Sequence, residues 1–210
     1  MADGWGLVVP VKLLALAKTR LAAYGTAARA ELALAFASDV LEAALGCPAV
    51  QQVVVVTDDV RAAAALARPG CRVVPDLPGA GLNPALQHGA DLLRAGHPAL
   101  PVAALAADLP ALRAGDLGSA LEAVRARAFV PDAARQGTTL LAVRAGHELR
   151  PAYGPDSRRR HLDSGALELD APAGLRRDVD TPADLLAALE LGVGAHTAAA
   201  VDALALPRPA

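Results

Sequence analysis

The chain has 210 residues, 54% of them apolar and 2% aromatic, with a formal net charge of −2 at pH 7. This is enough apolar material for one domain with a sizeable core, and the charge excludes a nucleic-acid glove or a polybasic membrane anchor. No uncharged run approaches the ~20 residues that span a bilayer.

Asp3 precedes the first apolar run without a positive segment, which argues against a signal peptide. Cys47 and Cys71 have no metal-site spacing and read as reduced thiols, so the expected location is cytoplasmic. The five histidines are scattered and suggest no histidine-based metal site.

The first predicted strand is "LVVPV" (7–11), followed by a loop and a long amphipathic helix over 26–45. "QVVVVT" (52–57) is a continuous apolar run, as expected of a strand buried on both faces of a parallel sheet. Asp58 and Asp59 are placed to cap a helix over 60–67. A strand at 71–75 precedes a helix over 83–95, with Asn83 as its N-cap and Pro84 at the first helical position. A strand at 101–108 and a helix at 117–128 follow, then strands from Ala128 and over 138–144. "GPDSRRRHLDSGA" (154–166) reads as a short polar helix behind a Gly-Pro turn. "LRRDVDTPADLLAALELG" gives a strand and then a helix, which Thr181, Pro182 and Asp184 start. Residues 1–195 form the expected domain, and the Ala-rich residues 196–210 a partly disordered tail.

Strand–helix alternation with buried strands predicts an α/β fold with a mostly parallel central sheet and helices on both faces. Ligands in such sheets sit beyond the carboxyl ends of the strands. The informative polar residues are therefore those that directly follow a strand.

Two of the 20 basic residues are lysines, and both lie just after the first strand, at Lys12 and Lys18, with Arg20 close by. Three cations in one loop at a sheet mouth make a phosphate site, and a lysine is a flexible point charge that can follow a phosphate chain. Neither a P-loop nor a dinucleotide fingerprint is present. Asp108 ends a buried strand, where a charge needs a partner. Asp178 and Asp180 flank Val179, so an extended backbone puts both carboxylates on one face. Carboxylates facing a triphosphate suit Mg²⁺, although Asp180 could also serve the following helix dipole. Thr138, Thr139 and Ser157 are hydroxyls beside Gly137 and Gly154, in turns open to an anion or merely structural. Asn83 is open to two readings, a nucleotide contact or an N-cap.

The ordered set "VPVKxxxxAKTRL", "GLNPAL", "ADLPAL", "PDxxxxGTTLL", "YGPDSRRRH" and "LRRDVDTPADL" resembles the guanylyltransferase family of coenzyme F-420 biosynthesis. That family acts on phosphoenolpyruvate or 2-phospho-L-lactate, and the resemblance spans about residues 6–192. It implies a single-domain nucleotidyltransferase fold, Rossmann-like and of the GT-A type. It also implies transfer of GMP from GTP to phosphoenolpyruvate with release of diphosphate. Carried over by motif, the phosphoenolpyruvate contacts fall on Thr139, Gly154 and Ser157. The Mg²⁺ carboxylates fall on Asp108, Asp178 and Asp180, and Lys12, Lys18 and Arg20 face the triphosphate. Tyr153 departs from the Phe expected before the glycine. The expected partners are GTP and a small phosphorylated carboxylic acid, with no nucleic acid and no membrane. A catalytically silent nucleotide-binding module is the rival from another class, and the three aspartates argue against it.

Overall fold

The computed structural model describes residues 4–207, so Asp3 and residues 208–210 lie outside it. Strands β1 (Trp5–Pro10), β2 (Val50–Val56), β3 (Cys71–Val74) and β4 (Val102–Leu105) run parallel, in the order β3-β2-β1-β4. The sheet continues with β5 (Arg127–Pro131), β6 (Thr138–Val143) and β7 (Leu167–Glu168). Here β6 pairs antiparallel with both β4 and β5, and β7 lies parallel to β5. The order reverses between β1 and β4, which opens a crevice at the carboxyl ends of these two strands. Both faces of β1 are covered, and Leu7, Val8 and Val9 are buried.

One face carries α1 (Gly25–Leu45), α2 (Val60–Leu66), α4 (Ala114–Ala123) and α6 (Ala173–Arg176), packed on Leu7, Val9, Val53 and Leu105. The other carries α3 (Leu82–Gly96) on Val8, Val54, Val102 and Leu141, beside the region of α5 (Ser157–Asp163). A third apolar cluster lies outside α1, where α7 (Pro182–Leu191) and α8 (Ala195–Ala203) pack against it. It joins Leu21, Leu32, Phe36, Val179, Leu185, Ala188 and Val201. Thr181 and Asp184 form the expected capping box at the start of α7. No helix among the described residues is long and apolar enough to cross a membrane.

Two sequence expectations are corrected. The strand read across 175–180 is replaced by α6 and an irregular segment over 177–180. That segment makes no strand pairing and is tied to the chain just past β4 by the Val179 amide, which donates to Asp108 O at 3.0 Å. The segment set apart as a tail instead contributes α8, with Thr197 and Val201 buried against α1. Its anchor is Asp39 of α1, whose carboxylate accepts the His196 and Thr197 amides at 3.0 and 2.9 Å. Gly194 allows this approach, since a Cβ there would lie 2.3 Å from an Asp39 oxygen. The anchor is 157 residues upstream, so the local sequence carries no sign of it.

Asp39→Ala would leave both amides at the start of α8 without their partner, a loss of about 1–3 kcal/mol. The expected result is a thermal midpoint lower by several degrees, with faster amide exchange across 195–203, read by melting curves and hydrogen exchange.

Candidate active site

The chain leaves β1 at Pro10 and forms two short 3-10 turns, Leu14–Leu16 and Thr19–Tyr24. Buried Leu14 and Leu21 anchor this loop, and Asp59 ties it down. One Asp59 oxygen accepts the Leu14 amide at 2.8 Å and the other caps α2 through the Ala62 amide at 2.9 Å. Asp59, rather than Asp58, is therefore the cap of α2. Between the two turns Lys18 adopts a left-handed conformation, with φ 52° and ψ 45°. This is costly for a residue with a Cβ and is held by what its side chain meets.

The Lys18 ammonium donates to Asp108 Oδ2 and, at 3.0 Å, to Asp180 Oδ1. Its side chain is only 10% exposed. Burial alone would push the ammonium pKa down, but the charges of Asp108 and Asp180 outweigh this and hold it raised, so Lys18 stays charged. Arg20 lies 3.8 Å from the other Asp180 oxygen and is mostly exposed. Lys12 is exposed and has no ion-pair partner among the described residues.

Lys12, Lys18, Arg20, Asp108, Tyr153 and Asp180 together line a cleft of about 400 Å³. It opens at the carboxyl ends of β1 and β4, where the strand order predicts a ligand. The loop and the aspartate segment also share apolar packing, since Leu21 and Val179 are both fully buried in the third cluster. Val179 points inward, and of its two acidic neighbours Asp180 lines the cleft whereas Asp178 lies off that lining.

Asp178 differs from its neighbours. Burial first, then the negative charges of Asp108, Asp132 and Asp180, push its pKa up to about 7. Lys18 answers Asp108 and Asp180, and of the three carboxyls Asp178 is the one with no ion-pair partner among the described residues. Carboxylates are hard-oxygen donors of the kind a divalent cation takes, and here burial, then the neighbouring acids, holds Asp178 partly protonated. The three are not drawn into one tight cluster, and Lys18 lies between two of them. A tighter grouping exists elsewhere: Asp39, Glu42 and His196 bring one ligand atom each within 4.8 Å of one another. Asp39 is already committed there to the two amides of α8.

The remaining sequence candidates divide. Asn83 is neither an N-cap nor a free group. Gly81, at φ +97°, precedes α3, so the helix starts before Asn83. The Asn83 side chain instead donates to Tyr153 O at 3.1 Å and accepts the Tyr153 amide at 2.7 Å. An amide side chain that mimics a peptide group in this way positions the Tyr153 segment, and its polar atoms are engaged. The Tyr153 hydroxyl donates to Ala104 O at 3.0 Å, which gives the departure from Phe a buried partner.

The Thr139 hydroxyl donates to Leu175 O at 2.7 Å, so any role of Thr139 toward a phosphate goes through its main chain. The register shift at Val130/Pro131 makes Thr139 the extra residue of a bulge, and so the hydroxyl that meets Ser157 is that of Thr138, at 3.3 Å. Pro131 within β5 is the sequence sign of that bulge. The Ser157 amide donates to Gly154 O at 3.1 Å, and its buried hydroxyl approaches that of Thr138. Gly154 has φ +119°, a conformation that needs glycine.

Comparison with known proteins joins this geometry to a family. A model of the MobA-like NTP transferase domain matches residues 33–176. A phosphoenolpyruvate guanylyltransferase of Streptomyces coelicolor is 58% identical over 93% of this chain and 94% of its own. The chain belongs to the phosphoenolpyruvate guanylyltransferase family. Among solved structures, a nucleotidyl transferase from Methanothermobacter thermautotroptrophicus superposes with a TM-score of 0.57 at 21% identity, covering 88% of this chain and 95% of that one. Rv0371C from Mycobacterium tuberculosis H37Rv, solved in complex with manganese, superposes at 0.52 and 21% identity, covering 90% and 100%. These two show the nucleotidyltransferase fold. In this guanylyltransferase family member the lysine loop and the three aspartates meet at one rim of that fold.

The raised pKa of Asp178 sets a pH dependence. Below about pH 4 an aspartate is protonated in both states. As pH rises toward 7 the unfolded chain releases this proton while the folded one retains it, so stability is lost progressively and the loss is complete above about 7. In chelated protein, Asp178→Asn is expected to melt higher than wild type, by a margin that grows from pH 4 to 7 and is flat beyond. Melting curves across pH check this.

Proposed function

We propose that the chain transfers GMP from GTP to phosphoenolpyruvate, giving enolpyruvyl-diphospho-5′-guanosine and diphosphate in the biosynthesis of the deazaflavin coenzyme F-420. The observation that carries this reading is the Lys18 ammonium held between Asp108 and Asp180 at the mouth of the sheet, in a chain 58% identical to a protein of that name. The reaction uses cytoplasmic metabolites, in keeping with the composition.

The acceptor phosphate is already anionic near neutral pH, so no side chain need act as a base. One of its oxygens attacks the α-phosphorus of GTP, and the bond to the β-phosphate breaks in line. Lys12, Lys18 and Arg20 offset the charge on the departing diphosphate. Lys18 is the best placed of the three, since a loop anchored by Leu14, Leu21 and Asp59 carries it. Asp108, Asp178 and Asp180 would hold Mg²⁺, which when bound neutralises phosphate charge. Gly154 and Ser157 at the start of α5 hold the acceptor beside the main chain of Thr139. Because β6 is antiparallel to β4, the β6 start meets the same rim as Asp108. Donor and acceptor therefore converge, and catalysis is chiefly positioning and charge neutralisation.

Lys18→Ala is expected to lower turnover ~10²–10³-fold, the usual effect of losing one transition-state charge contact. Diphosphate release from GTP with Mg²⁺ and phosphoenolpyruvate measures it. Normal turnover in this variant would remove Lys18 from the mechanism, and a preference of wild type for 2-phospho-L-lactate would reassign the acceptor.

A further inference from the structure

His161 is fully buried, yet the reaction as described gives it no part. It packs against Phe129 and Tyr153, with ring centroids 5.6 and 5.4 Å away. Both ring nitrogens are engaged. Nε2 receives the Ala152 amide proton at 3.1 Å, and Nδ1 lies 2.9 Å from Thr138 Oγ1. A main-chain N–H can only donate, so Nε2 is an acceptor and carries no proton. The ring is neutral and its one proton is on Nδ1, where it is donated to Thr138. Burial, and then the charges of Arg127 and Arg160, lower the His161 pKa to about 4, which agrees with the neutral form.

Counting protons gives the consequence. His161 Nδ1, Thr138 Oγ1 and Ser157 Oγ bring three hydrogens to two mutual contacts, the second being the 3.3 Å approach of the two hydroxyls. One hydroxyl hydrogen is left over whichever hydroxyl donates to the other. Neither hydroxyl has another protein acceptor among the described residues. With the opposite tautomer all hydrogens would be consumed within the triad. This hydroxyl pair lies at the β6 start, and the next residue's carbonyl, Thr139 O, accepts the Ala106 amide at 2.8 Å, two residues before Asp108.

We propose that His161 is a positioning residue: its tautomer, fixed by the Ala152 amide, makes the Thr138–Ser157 hydroxyl pair an obligate hydrogen donor to an anionic oxygen of the acceptor. This rests on the acceptor site proposed above. It gives Thr138 a role in acceptor binding and no role in binding GTP. The surplus donor favours an ionised phosphate or carboxylate and disfavours a ligand that must itself donate there.

Two measurements test it. In wild-type protein labelled with ¹⁵N-histidine, NMR should show His161 as the neutral Nδ1–H tautomer; an Nε2–H tautomer overturns the proposal. In steady-state assays, Thr138→Val, which deletes the hydroxyl at constant shape, should raise the KM for phosphoenolpyruvate ~10- to 100-fold, the usual effect of one hydrogen bond to a charged group. The KM for GTP should stay within about twofold, and Thr138→Ser should restore the acceptor KM. His161→Phe should add little to Thr138→Val if the two act as one chain. An unchanged acceptor KM in folded Thr138→Val, or equal rises for both substrates, overturns the proposal. If wild type forms no diphosphate with phosphoenolpyruvate, the assigned acceptor falls, and the NMR tautomer then decides this inference by itself.

Discussion

One buried ammonium organises the site. Lys18 sits between Asp108, at the end of β4, and Asp180, just before α7, and these three residues come from widely separated parts of the chain. Two carboxylates this close would repel each other in a half-buried setting, and the lysine makes the arrangement tolerable. Its left-handed backbone would be unfavourable in an unconstrained loop. The ion pairs and the packing of Leu14 and Leu21 on either side hold it. A buried charge pair is weak evidence for added stability, because desolvation offsets much of the attraction. Its effect here is to fix the cationic loop against Asp108 and Asp180 at the cleft.

Much of this could be read from the sequence, and the reasons are local. Short β-branched apolar runs such as "QVVVVT" are what strands covered on both faces require, and their alternation with Ala/Leu helices points to the layered α/β architecture. The rule that ligands lie at strand ends then selects Lys12 and Asp108, which line the cleft, and also Asp58, whose carboxylate instead accepts the Asp76 amide at 2.9 Å. Alternation about Val179 leads one to expect Asp178 and Asp180 on one face; Val179 is buried, but the segment is not a strand, and of the two acids Asp180 lines the cleft. The isolation of Asp178 depends on three other acids, and no spacing expresses it.

What escaped the sequence depends on distant partners. Asn83 looked like a helix cap because it precedes Pro84, but its amide is claimed by Tyr153, 70 residues further on. Thr138 and Thr139 are interchangeable as letters. The bulge opposite Pro131 gives the first to His161 and the second to Leu175, and only the register reveals it. The helix over 195–203 was hidden for a similar reason, since its Ala-rich face means little until Asp39 supplies the missing acceptor.

The change from parallel to antiparallel pairing between β4 and β6 has a consequence for how such an enzyme could diversify. The cationic loop and Asp108 all lie before residue 110, whereas Thr138, Gly154, Ser157 and His161 lie after 130. The two groups meet only because β6 enters the sheet from the opposite end. On the function proposed above, exchanging only the stretch from 130 to about 165 would remodel acceptor preference while the cationic loop, Asp108 and the later Asp178 and Asp180 stay intact, so a new metabolite could be recruited through one contiguous piece of gene.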